Sequence, residues 1–98
     1  MPYAVVAHYR CAPGDAPAVR DALLRMREST LREPGNRAYV VHADAEDASG
    51  DAAFTLYEQY ADRDAFEAHT RTPHFAEHIA RTVRPRLTAR TVWFGDVI

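Results

Sequence analysis

Between Tyr57 and Ile79 the chain reads YEQYADRDAFEAHTRTPHFAEHI, which puts three histidines, two phenylalanines and two tyrosines into 23 residues beside the carboxylate of Glu58. An imidazole takes and gives protons near neutral pH. Aromatic rings wall off dry pockets, and histidines also ligate haem iron or zinc. His69 follows Phe66 by three positions, so both leave the same side of a helix; this makes His69 the candidate base of an aromatic pocket. His78 follows Phe75 by the same spacing and is a candidate substrate contact or haem ligand. His74 and His78 are four apart, as in a two-histidine metal motif, but the segment reads HFAEH rather than HExxH and no cysteine cluster adds ligands. A metal site is therefore not expected, and His74 is read as trimming a helix end.

Other chemistries are disfavoured by what the sequence lacks. It carries no nucleophile elbow, glycine-rich phosphate loop, dinucleotide fingerprint or zinc motif. All twelve basic residues are arginine, which removes Schiff-base and lysine general-base mechanisms. The net charge of −2 offers no basic footprint for nucleic acid. Apolar runs stay well short of the 18 residues of a membrane span. One cysteine, Cys11, permits no internal disulfide; with no leader-like segment at the start, a cytoplasmic location is expected. Cys11 itself is read as a small packed side chain.

The elements that must position these residues follow from periodicity, within one domain spanning residues 1–98. Tyr3 to Cys11 is β-rich and predicts a first strand. Asp15 or Gly14 opens a helix with Pro17 in its first turn, along which Val19, Ala22, Leu23, Met26 and Leu31 recur at helical spacing until EPGN, Glu33 to Asn36, stops it. Arg37 to Ala43 predicts a second strand, Asp44 to Asp51 an acidic surface loop and Ala53 to Tyr60 a third strand. Asp62 caps a short helix to about Thr70. Thr72 and Pro73 open another, with Phe75, Ile79 and Val83 on one face. Leu87 to the C-terminus gives a fourth strand. The order β-α-β-β-α-α-β predicts an α+β, ferredoxin-like fold, a four-stranded antiparallel sheet with helices on one face and the third strand between the first and second.

Alternation along the strands assigns faces. His8, His42 and Glu58 are read as leaving the sheet face away from the helices, a polar network of buried groups that pair with one another. Val6, Val40 and Leu56 are read onto the same uncovered face, an apolar patch that a second copy would cover in a homodimer.

Glu33-Pro34-Gly35-Asn36 before the second strand, Glu58 with Tyr60-Ala61-Asp62 after the third, Ala68-His69 and Thr72-Pro73-His74-Phe75 together resemble the antibiotic biosynthesis monooxygenase family of dimeric α+β barrels. The resemblance runs in order over nearly the whole chain. It implies a dimeric barrel with a substrate pocket between the sheet and the helices of each subunit. Tyr39, Tyr57, Phe66, Phe75, His78, Trp93 and Asn36 would then bind substrate, and His8, His42 and Glu58 would lie at the dimer interior. Haem-degrading relatives use an Asn, a Trp and a His, where this chain has Ala7 or His8, His69, and Ile79 beside His78; haem chemistry is disfavoured. The resemblance implies a cofactor-independent enzyme that oxidises a small phenol, quinol or polyketide-like ring with O2. An isomerase or tautomerase of a small metabolite and a non-catalytic ligand-binding dimer are the alternatives. On this reading His69→Ala abolishes turnover at little cost in stability, and His8→Ala does the reverse.

Overall fold

The computed structural model describes residues 1–45 and 50–98, so the centre of the acidic stretch lies outside the described residues. The elements are β1 (Tyr3–Cys11), α1 (Ala16–Thr30), β2 (Asn36–Ala43), β3 (Ala52–Tyr60), α2 (Arg63–Thr70), α3 (Phe75–Val83) and β4 (Leu87–Asp96), with single 3-10 turns at Pro13–Asp15 and Arg84–Arg86. The sheet is antiparallel throughout, in the order β2-β3-β1-β4. This is the ferredoxin-like α+β architecture expected from the sequence.

Each helix forms where the pattern places it. Along α1, Val19, Ala22, Leu23 and Met26 are buried at helical spacing. Fully burying a side chain such as Leu23 or Met26 is worth roughly 1.5–3 kcal/mol. The Asp62 carboxylate accepts from the Ala65 N–H at 2.8 Å and starts α2. The Thr72 hydroxyl accepts from the Phe75 N–H at 3.2 Å at the entry to α3. The winding of α3 differs from the ordinary helix expected. It is a π-helix, at whose end the Arg84 N–H bonds the carbonyl of Ile79, five residues back.

The loop between α1 and β2 is drawn tightly against α2. The Ala61 N–H donates to the Gly35 carbonyl at 2.8 Å. A Cβ at Gly35 would lie 2.5 Å from that of Ala65, so only glycine permits this approach.

Cross-strand register fixes which residues share a face. Val5 lies opposite Glu58 and Phe94, Ala7 opposite Leu56 and Val92, and Val6 opposite Tyr57 and Trp93. Val5, Ala7, Tyr39, Leu56 and Glu58 are buried under the helices, whereas Val40 and Trp93 are 44% and 57% exposed on the other face.

Four residues change face with this register. Glu58 and Leu56 lie on the helix side rather than on the open face. Tyr57 and Trp93 lie on the open face rather than in a pocket under the helices. The cause is a one-residue slip in reading β3 and β4 against their neighbours, which sends every side chain of a strand to the other face.

Candidate active site

His69 is the centre of the site. It lies on the inner side of α2, 2% exposed, and is enclosed by Tyr60 at 5.1 Å, Phe75 at 5.4 Å, Phe66 at 6.0 Å and Tyr39 at 6.3 Å between ring centroids. Its Nδ1 is 2.9 Å from Glu33 Oε2, and its Nε2 is 3.7 Å from Glu58 Oε1. A carboxylate only accepts, so Nδ1 carries the proton donated to Glu33 and the neutral ring leaves Nε2 unprotonated. Burial holds the His69 pKa below its usual value, against the pull of Glu33.

Glu33 comes from the turn that ends α1. The same carboxylate oxygen accepts a second hydrogen bond, from His74 Nε2 at 2.6 Å. One carboxylate thus fastens the α1–β2 loop to α2 and to the entrance of α3. Glu33, His69 and His74 are also the residues that could hold a metal ion, since their donor atoms lie within 4.8 Å of one another. This trio, rather than His74 with His78, is the cluster the fold assembles among the described residues.

Glu58 is the second carboxylate of the site. It accepts from the Tyr60 hydroxyl at 2.6 Å. Burial raises its pKa to about 7, partly offset by that hydrogen bond, so the acid and its anion coexist near neutrality. The Tyr39 and Tyr60 phenols are held protonated, first by burial and then by the charge of Glu58. Tyr9 is raised to about 12 for the same reasons, with Arg90 and Arg84 opposing the rise.

A cavity of about 240 Å³ opens between the sheet and the pair α2 and α3. Its walls are Val5, Ala7, Val92, Phe66, Phe75 and Phe94. Glu58, His69, Tyr9, Arg84 and Arg90 are among its polar lining residues, with Glu58 level with Val5 and Arg90 with Tyr9 along β1.

The structure brings together some of the residues singled out from sequence and separates others. His69, Phe66 and Phe75 line the cavity. Tyr39 is buried behind His69. Asn36 donates to the Ala38 carbonyl at 3.0 Å, where the β2–β3 register shifts, and so shapes the strand rather than the cavity. His78 is half-buried on α3 and is not a cavity residue. Tyr57 and Trp93 are on the opposite sheet face, where Gln59 Nε2 donates to the Tyr57 hydroxyl at 3.0 Å.

The expected network of His8, His42 and Glu58 divides the same way. His8 and His42 share the open face and meet at Thr55. His8 Nδ1 lies 3.0 Å from the Thr55 hydroxyl, His42 Nδ1 lies 2.9 Å from its carbonyl, and the hydroxyl donates to Asp44 at 2.7 Å. Glu58 takes no part. Sequence reasoning placed Tyr9 on the helix side but missed Glu33, Arg84 and Arg90. For Glu33 the available signal was its place in EPGN, which was read as the end of a helix and as part of the family resemblance but not as a site residue.

Comparison with known proteins agrees with this architecture. No curated protein matches the sequence. Among solved structures, Rv0793 of Mycobacterium tuberculosis is 30% identical with a TM-score of 0.85, over 100% of this chain and 96% of that one. PA3566 of Pseudomonas aeruginosa is 26% identical with a TM-score of 0.87, over 100% and 95%. A structure described as an antibiotic biosynthesis monooxygenase is 26% identical with a TM-score of 0.85, over 98% of each chain. The model of the antibiotic biosynthesis monooxygenase family matches residues 2–81, and the chain belongs to that family.

Proposed function

We propose that the protein is a monooxygenase that oxidises a small electron-rich phenol, quinol or polyketide-like ring with O2, without flavin, haem or metal. The observation that carries this reading is the pairing of His69 with Glu33 in the wall of an aromatic cavity. Glu33 fixes the tautomer and stabilises the imidazolium that forms, and Nε2 is the base. A substrate hydroxyl placed against Nε2 and Glu58 gives its proton to His69. The phenolate transfers an electron to O2, and the two radicals combine as a peroxide on a ring carbon. Cleavage of the O–O bond leaves one oxygen on the ring, while the other departs as water, carrying the hydroxyl proton returned by His69 and the hydrogen lost from the oxygenated ring carbon. The substrate supplies all the electrons, so the balance closes without an external reductant. Membership of a family named for monooxygenases supports the reaction class.

On this proposal the protein is a cytoplasmic homodimer whose open sheet faces, carrying Val6, Val40, Tyr57 and Trp93, close on each other. No helix among the described residues is long and apolar enough to cross a membrane. The test is oxygen uptake with a panel of dihydroxynaphthalenes and anthrones, without added flavin or metal. Saturable uptake that depends on His69 is expected. No uptake across the panel, or equal substrate conversion without O2 as an isomerase would give, refutes the reading.

A further inference from the structure

The two sides of the cavity differ in charge, and this bears on the class of substrate. One side holds Glu58 and His69. Toward Tyr9 the lining includes Arg84, from the turn after α3, and Arg90, from β4, whose charges both act on the Tyr9 hydroxyl. Arg90 lies opposite Tyr9 across β1–β4, and its charge opposes the rise in the Tyr9 pKa. The Arg84 guanidinium lies over the Phe75 ring, 5.3 Å from its centroid. The neighbouring Arg86 pairs with Asp15 at 3.9 Å. Arg84 and Arg90, by contrast, face no carboxylate at ion-pair distance among the described residues. Both are solvent-exposed, so their charge is available at the cavity mouth without the cost of a buried unpaired cation.

Register gives the spacing. Glu58 is level with Val5 and Arg90 with Tyr9 on the same strand, four residues or about 13 Å apart along β1. Once the side chains reach inward, the remaining length and the volume of about 240 Å³ suit one ring or two fused rings.

We infer that the cavity selects acidic aromatic substrates: a one- or two-ring phenol whose hydroxyl meets His69 and Glu58 and whose far end carries a carboxylate held by Arg84 and Arg90. Two exposed guanidinium groups converging on one end of a pocket suit a carboxylate, which takes paired N–H donors. The Glu58 carboxyl at the hydroxyl end then disfavours substrates acidic at both ends.

The assignment rests on this cavity being the substrate site, and it is tested by binding without O2, so a protein that fails to oxygenate can still bear it out. Calorimetry compares 6-hydroxy-2-naphthoate, whose two groups lie at opposite ends of the rings, with 2-naphthol, which lacks the acid. The naphthoate is expected to bind at least about tenfold more tightly, with a difference that shrinks as salt is raised. Arg84→Gln with Arg90→Gln is expected to abolish the difference between the two compounds. Both residues are exposed, and an unaltered thermal midpoint checks that the variant is folded. Equal binding of the two compounds, no binding of either, or a difference that survives in the double variant overturns the assignment.

Discussion

Replacing His69 by Asn separates its chemical part from its structural part. The Asn amide can still donate to Glu33 in place of Nδ1–H, but nothing replaces the lone pair of Nε2. If that nitrogen is the base, kcat falls by about 10²–10⁴-fold, the usual contribution of a positioned general base, while the protein stays folded. His69→Ala removes both functions. It opens a void among Tyr39, Tyr60, Phe66 and Phe75 and takes one of two hydrogen bonds from the Glu33 carboxylate. Truncating a buried side chain of this size costs roughly 2–4 kcal/mol, and in a domain of this length each kcal/mol lowers the midpoint by about 4–8 °C. A fall of about 8–32 °C is expected, by calorimetry in parallel with oxygen uptake. His8→Ala, at an exposed imidazole on the other sheet face, should shift stability by less than about 0.5 kcal/mol and leave turnover intact. This reverses the stability order expected from the sequence, because His69 is the enclosed residue and His8 the solvated one. His69→Asn with wild-type kcat refutes the assignment of the base, and an unshifted midpoint in His69→Ala refutes the packing argument.

Glu58→Gln should stabilise the protein at pH 8. The folded pKa is raised to about 7 from 4.5, so the native state binds the extra proton and stability is lost as pH rises from about 4.5 through 7. The gain is up to about 3 kcal/mol at pH 8 and vanishes near pH 4, as paired thermal melts would show. Gly35→Ala forces apart the loop and α2, where the new methyl would lie 2.5 Å from Ala65 Cβ; a loss of about 1–3 kcal/mol is expected, with reduced turnover because Glu33 moves with the loop. Val40→Asp should convert a dimer into a monomer by light scattering, since an unpaired carboxylate at a closed apolar face is costly. A wild-type protein that is already monomeric at micromolar concentration removes the dimer proposal.

Features set by neighbours along the chain were legible in the sequence. The Asp62 cap, the Thr72 hydroxyl at the entry to α3, the buried stripe of α1 and the common side of Phe66 and His69 depend on residues three or four positions apart. The errors came from relations between distant segments. Alternation within β3 is plain, but whether its even or odd residues face the helices is set by its register against β1. Glu58 and Tyr57 were therefore exchanged. Glu33 could not be connected to His69, 36 positions away, because nothing local distinguishes a carboxylate that ends a helix from one that orients an imidazole. The five-residue hydrogen bonding of α3 was hidden for a related reason. Phe75, Ile79 and Val83 are spaced by four, which serves a π-helix as well as an ordinary one.

Trp93 is the only tryptophan of the chain. It is 57% exposed on the open sheet face, with its ring folded over Gly95, where a Cβ would lie 2.2 Å from the indole. Indole emission moves to the blue when water leaves its surroundings, so the native protein carries its own fluorescent label on that face. The label is separated from the cavity by the thickness of the sheet. A change in tryptophan emission on dilution reports on what covers the face, and a ligand bound beside His69 leaves it undisturbed. Assembly and substrate binding can therefore be followed independently in the unmodified protein, one by light and the other by heat.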